Sequence, residues 1–120
     1  GNSMEGVVIG GNIRCFLKLM GTDYLPKSSE KILLLESLGG NETRIASLLT
    51  QLKQSGYLNN INGIILGDFR HMQDNNIKPT VKELVLEITK DISVPIIKTD
   101  DIGHRSEAKA IVIGEHRKFV

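Results

Sequence analysis

Two residues of this 120-residue chain stand where side chains could do chemistry together. Glu36 closes the run KILLLE (31–36), so a carboxylate follows directly on four apolar residues, Ile32 to Leu35. His104 follows Gly103 at the end of VPIIKTDDIGH (94–104). A carboxylate that accepts a hydrogen bond from one imidazole nitrogen fixes the tautomer and stabilises the imidazolium. The other nitrogen is then free to act as a general base. That pair is the acid–base part of a nucleophilic triad. Gly103 permits a tight turn ahead of the ring. On residue types alone the alternative stays open, because a Glu after a strand and a His in a polar loop are commonly just solvated.

The remaining reactive groups lead to weaker constellations. Asp68, His71, Asp100 and Asp101 offer oxygen and imidazole ligands, but their spacing matches no metal motif and no metal is expected. FRHMQDNN (69–76) reads as a polar loop with His71 facing solvent. Cys15 is the single cysteine, which rules out an internal disulfide and a sulfur-built zinc site. Within IRCFLKLM it reads as a buried structural thiol. VIGGN (8–12) lacks both G-x-G-x-x-G and the P-loop Lys-Ser/Thr. Its glycines read as a turn or a close backbone approach. No G-x-S-x-G elbow occurs. Ser28 and Ser29 fall in a loop, Ser37 after a strand, Ser47 and Ser55 on a helix, and Ser93 before a strand. Ser106 lies two residues from His104, a poor geometry for a base and its nucleophile. The chain thus offers an acid and a base without a nucleophile.

Strands and helices must alternate to position these groups. GVVIGGN (6–12) is a short strand running into glycines, and IRCFLKLMGT is a short helix closed by Gly21. KILLLE is the first strong strand, its unbroken apolar run suited to burial on both faces. ETRIASLLTQLKQSG (42–56) is a helix with Ile45, Leu48, Leu49 and Leu52 on one face. Asn41 caps it, and Glu42, Lys53 and Gly56 suit its two ends. INGIILGDF (61–69) is the second buried strand. PTVKELVLEITKDI is a helix with a capping box from Thr80 to Glu83 and a stripe of Val81, Leu84, Val85 and Ile88. VPIIKT (94–99) and KAIVIGE (109–115) are further strands. Such alternation predicts right-handed βαβ crossovers and a parallel sheet. Ligands meet these sheets at the carboxyl ends of the strands. Glu36, Asp68, Asp100, Asp101 and His104 are therefore expected along one edge.

The composition is that of one soluble α/β domain, with a formal net charge of +1 that points to neither nucleic acid nor an anionic membrane. The cluster His116-Arg117-Lys118 reads as a solvated terminus. No signal peptide or membrane span is evident, so a cytoplasmic setting is the expectation. GNSM (1–4) resembles an expression scar, with the domain running over 5–120.

Several segments, taken in order, are similar to one family. IGGN, GTDYLP, KILLLESLGG, TRIASLLTQLKQSGYLNNINGIILGDF, VPIIKTDDIGH and AIVIGE resemble the C-terminal domain of the LD-carboxypeptidases, serine peptidases of the S66 type that include the microcin C immunity peptidase. The resemblance runs from about residue 6 to about residue 115. It implies a swivelling β/β/α domain of a two-domain enzyme with a Ser-Glu-His triad. Glu36 matches the family Glu and His104 the family His, while the nucleophilic Ser belongs to an N-terminal domain that is not in this chain. It further implies a short, murein tetrapeptide-like substrate cut at an L,D bond, no cofactor, a homodimer in the full enzyme, and inactivity of this piece alone. The alternatives are a peptidase acting on a peptidyl-nucleotide toxin and a non-catalytic binding or oligomerisation module. Departures from the family pattern fall at Ser37, at Gly39-Gly40 and at Arg105-Ser106-Glu107. They lie beside the pair and bear on which peptide is cut.

Overall fold

A computed structural model describes residues 3–99 and 111–119. Among the described residues, five strands form one sheet in the order β4-β3-β2-β1-β5. They are β1 (Met4–Asn12), β2 (Lys31–Ser37), β3 (Gly63–Phe69), β4 (Ile96–Lys98) and β5 (His116–Phe119). The first four run parallel, and β5 pairs antiparallel with the outer side of β1. Each parallel connection steps one strand in the same direction. The right-handed rule then sends every connecting helix to the same face of the sheet.

The side chains obey that geometry. Alternation along a strand sends successive residues to opposite faces. Leu33, Leu35, Ile64 and Leu66 join the helix-side core, while Ile32, Leu34 and Ile65 join Met4, Val8 and Phe119 on the other face. The apolar runs of β2 and β3 are unbroken because both of their faces are covered. At Gly10 (φ +104°) a Cβ would run into the Leu34 carbonyl oxygen, so glycine lets β1 lie close against β2.

Among the described residues, four α-helices cover one face: α1 (Ile13–Leu17), α2 (Glu42–Gln54), α3 (Arg70–Asp74) and α4 (Val81–Ile88). The caps form as the residue types predict. Asn12 Oδ1 accepts from the Cys15 N–H at 3.0 Å, and Asn41 Oδ1 from the Arg44 N–H at 3.1 Å. Thr80 and Glu83 close a reciprocal capping box on α4, at 2.9 and 3.2 Å. Lys53 near the end of α2 donates to the Ile88 carbonyl at 2.7 Å and pairs with Asp91 at 2.5 Å, fastening α2 to the last turn of α4. Tyr57 donates its hydroxyl to the Pro26 carbonyl at 2.6 Å and meets Phe16 edge-to-face. Burial pushes its phenol up to about 12.

Several sequence expectations change. The strand expected over 109–115 is replaced, within its described part, by a turn, and the strand follows it at His116–Phe119. Gly114, at φ +92°, permits that turn, and the Gly114 N–H donates to the Val8 carbonyl at 2.7 Å. The sheet is therefore mixed. The basic cluster taken for a solvated terminus belongs to β5. His116 Nε2 lies 3.3 Å from Glu5 Oε2, and the Arg117 guanidinium sits 5.2 Å from the Phe119 ring centre. Cys15 is exposed rather than buried, because α1 turns Ile13, Phe16 and Leu17 inward and Cys15 falls on the opposite side. FRHMQDNN is not a loop. It folds as α3, anchored by the buried Met72.

Candidate active site

At the end of β2 burial stops abruptly. Leu35 is fully buried and Glu36, the next residue, is exposed. On β1, Asn12 stands opposite Glu36 in the ladder. On β3, Gly67 and the exposed Asp68 follow at this level, and β4 ends one position earlier, with Lys98 opposite Leu66. The ladder between β2 and β3 shifts register between Leu35 and Ser37, and such an irregularity re-aims side chains at the end of a strand. Glu36 leans toward β3: a Cβ at Gly67 would lie 3.3 Å from Glu36 Oε2. A larger residue at 67 would compete with the carboxylate for that space. Glu36 makes no side-chain hydrogen bond or ion pair among the described residues.

The segments beyond β2 and β3 hold this edge in shape. The Ser37 hydroxyl donates to the Gly39 carbonyl at 2.8 Å. The His71 N–H on α3 donates to the Leu38 carbonyl at 3.0 Å, tying the loop after Glu36 to the helix after Asp68. Two recesses open near these strand ends on the helix face of the sheet, opposite the face that Glu36 shares with Leu34. One, of about 460 Å³, lies on the β3 side and includes Gly67, Asp68 and Lys98. The other, of about 300 Å³, lies on the β1 side and includes Asn12, Ser37 and Arg44.

Of the residues singled out from the sequence, the structure brings Glu36 and Asp68 to one edge. His71 lies on exposed α3, where its ring nitrogen is 3.5 Å from the Asn75 amide. Asp100, Asp101 and His104 lie outside the described residues. Among the described residues, no group of three His, Cys, Asp or Glu side chains could hold a metal ion. No helix among them is long and apolar enough to cross a membrane. Sequence reading passed over Asn12 and Lys98 as members of this edge. The signal was present, since each ends an apolar strand in the same way that Glu36 does.

Comparison with known proteins gives this edge a context. Residues 5–119 match the family model described as the LD-carboxypeptidase C-terminal domain. A Bacillus subtilis protein named "Probable murein peptide carboxypeptidase" is 29% identical over 117 residues, covering 92% of this chain and 35% of that protein. The chain spans about a third of the length of such relatives. The crystal structure of a muramoyltetrapeptide carboxypeptidase from Oxalobacter formigenes is similar with a TM-score of 0.63 at 25% identity, covering 80% of this chain and 34% of that one. The microcin C7 self immunity protein shares the fold with a TM-score of 0.67 at 22% identity, covering 82% of this chain and 30% of that one.

Proposed function

The chain belongs to the LD-carboxypeptidase C-terminal domain family, and from that premise we propose that it supplies Glu36 and His104 as the acid–base pair of a serine carboxypeptidase. The substrate is a short peptide with an L,D bond at its end, of the murein tetrapeptide kind. The observation that supports this reading is the position of Glu36, an exposed carboxylate without a partner among the described residues, at the centre of the sheet's carboxyl edge. The chain leaves β4 at Lys98 and reaches His104 six residues later. β4 lies one strand beyond the neighbour of β2, and the chain leaves it at the same edge of the sheet.

In this mechanism a serine outside the 120 residues attacks the carbonyl carbon of the L,D amide. Its proton passes to His104, whose imidazolium is oriented and stabilised by Glu36. The same proton goes to the leaving amine as the C–N bond breaks. Water then cleaves the acyl-enzyme, giving its proton to His104 and restoring the serine hydroxyl.

The test is release of the terminal D-alanine from L-Ala-γ-D-Glu-meso-diaminopimelate-D-Ala by the full-length protein that carries this domain. Wild type is expected to turn over. Glu36→Gln and His104→Ala are expected to reduce kcat about 10²- to 10⁴-fold while binding persists. The 120-residue chain alone is expected to give no turnover. Cleavage of a peptidyl-nucleotide in place of the tetrapeptide would move the assignment to an immunity-type peptidase. Full activity in both variants would remove the pair from the mechanism.

A further inference from the structure

Two asparagines cap helices in the same way but stand in different places. Asn41 caps α2 from a loop, whereas Asn12 caps α1 from the last position of β1, where it is the ladder partner of Glu36. The register of β1 and β2 runs unbroken from Val7 and Lys31 to Asn12 and Glu36. Partners in such a ladder point to the same face, with the strands about 4.8 Å apart. Val8 and Ile32 show this, since both join the core on the face away from the helices. Asn12 and Glu36 therefore start from neighbouring strand ends and from one face, the face that Glu36 shares with Leu34.

The fold uses only one end of the Asn12 amide. The Cys15 N–H, 3.0 Å away, can be met only by the oxygen, because an amide nitrogen does not accept. That bond fixes the orientation of the group and leaves Nδ2 pointing away from the helix N–H. Nδ2 carries two donors, and the side chain is exposed and makes no other hydrogen bond among the described residues. At Gly11, just before it, a Cβ would meet nothing within 4 Å among the described residues, so the approach to Asn12 along β1 is open. Capping does not require this residue type, since Ser or Asp would serve α1 as well. Asp would set a second carboxylate at the level of Glu36, and Ser would offer only a shorter hydroxyl. Asn alone of the three places a neutral N–H donor at that level.

We propose that Asn12 Nδ2 donates a hydrogen bond to a carbonyl of the bound peptide other than the one to be cut, and so lays the peptide across the strand ends at Glu36. The proposal rests on the peptidase reading for its substrate. Asn12 is a substrate-binding residue in it and takes no part in proton transfer.

Steady-state kinetics of the full-length protein on L-Ala-γ-D-Glu-meso-diaminopimelate-D-Ala test this. Asn12→Ser keeps a neutral cap and withdraws the amide donor. It is expected to raise KM about three- to tenfold, with kcat within about threefold and the urea midpoint unchanged. Asn12→Asp also keeps the cap but turns an acceptor toward the carbonyl, and is expected to raise KM further. Asn41→Ser makes the same exchange at the other cap and is expected to leave KM and kcat alone. The tetrapeptide carbonyls outside the scissile bond are then replaced by methylene one at a time. One replacement is expected to raise the wild-type KM and to add little in Asn12→Ser, which identifies the carbonyl held. An unchanged KM in Asn12→Ser and Asn12→Asp overturns the proposal. So does a methylene penalty that is as large in Asn12→Ser as in wild type at every position, and so does a rise in KM that Asn41→Ser reproduces. If wild type turns over no peptide, the peptidase reading fails by itself, and calorimetric titration with the tetrapeptide decides Asn12. Binding that is weaker in Asn12→Ser than in wild type and in Asn41→Ser supports the proposal. Equal or undetectable binding in all three overturns it.

Discussion

Along β2, Ile32, Leu33 and Leu35 are fully buried, and along β3 so are Ile64 and Ile65, whereas Glu36 and Asp68 at the ends of the same two strands are exposed. The interior of the sheet is packed on both faces, and each of its side chains is held by several neighbours. Its carboxyl edge carries a carboxylate, an amide and an ammonium with few intramolecular commitments. The interior makes the edge usable: it fixes the spacing of Asn12, Glu36 and Gly67, and of these only Asn12, as the cap of α1, also serves the fold through its side chain. Substitutions should therefore separate cleanly into those that unfold and those that inactivate.

The largest expected effect is at the edge. Glu36→Gln should cost about 10²- to 10⁴-fold in kcat of the full-length enzyme, with an unfolding midpoint close to wild type. A midpoint that falls in step with activity would erase the distinction between edge and interior. Next comes the interior. Leu33→Ala should destabilise the domain by about 2–5 kcal/mol through lost transfer energy and a cavity, read as a lower urea midpoint at unchanged slope. Gly67→Val sits on the boundary. Its side chain would crowd the Glu36 carboxylate, now 3.3 Å from the Cβ position. A displaced carboxylate should cost about tenfold or more in kcat/KM, while the yielding neighbour, the end of a flexible side chain, keeps the stability change small.

The smallest effects lie far from both regions, in the cap of α4. Thr80→Ala should cost about 1 kcal/mol of stability and leave kcat untouched. The Glu83 carboxyl is held below its ordinary 4.5, first by the hydrogen bond from the Thr80 backbone and then by the Thr80 side chain. A depressed carboxyl stabilises the fold above its unfolded value and loses that contribution as pH falls through its folded value. Below about pH 4.5 the wild type should therefore lose part of its stability advantage over Glu83→Gln. Parallel stability-versus-pH curves for the two proteins would show that the cap is not the source.

Much of this molecule was legible in the sequence because its signals are local. The helix face of Ile45, Leu48, Leu49 and Leu52 is a period written in consecutive residues, and all four are buried. Asn41 and Thr80 cap because a short polar side chain can reach N–H groups of its own first turn. The apolar runs 32–35 and 64–66 announce strands covered on both faces. Where a reading failed, the deciding partner lay far along the chain. β5 forms because the open side of β1, more than a hundred residues earlier, offers a ladder to His116–Phe119. Periodicity over 109–115 carries no information about that edge. Cys15 is exposed because the sheet lies on the other side of α1, which the apolar composition of IRCFLKLM does not reveal.

By itself the sequence determined the alternation of strands and helices, the caps, the buried faces and the placing of Glu36 at the end of a strand, since each depends on residues within a turn or two of one another. The tertiary structure decided the order and direction of the strands. It thereby decided that Asn12, Glu36 and Gly67 share a level and that Lys98 and Arg70 line one recess. Those relations join segments tens of residues apart, and only ladder register and helix packing set the distances between them.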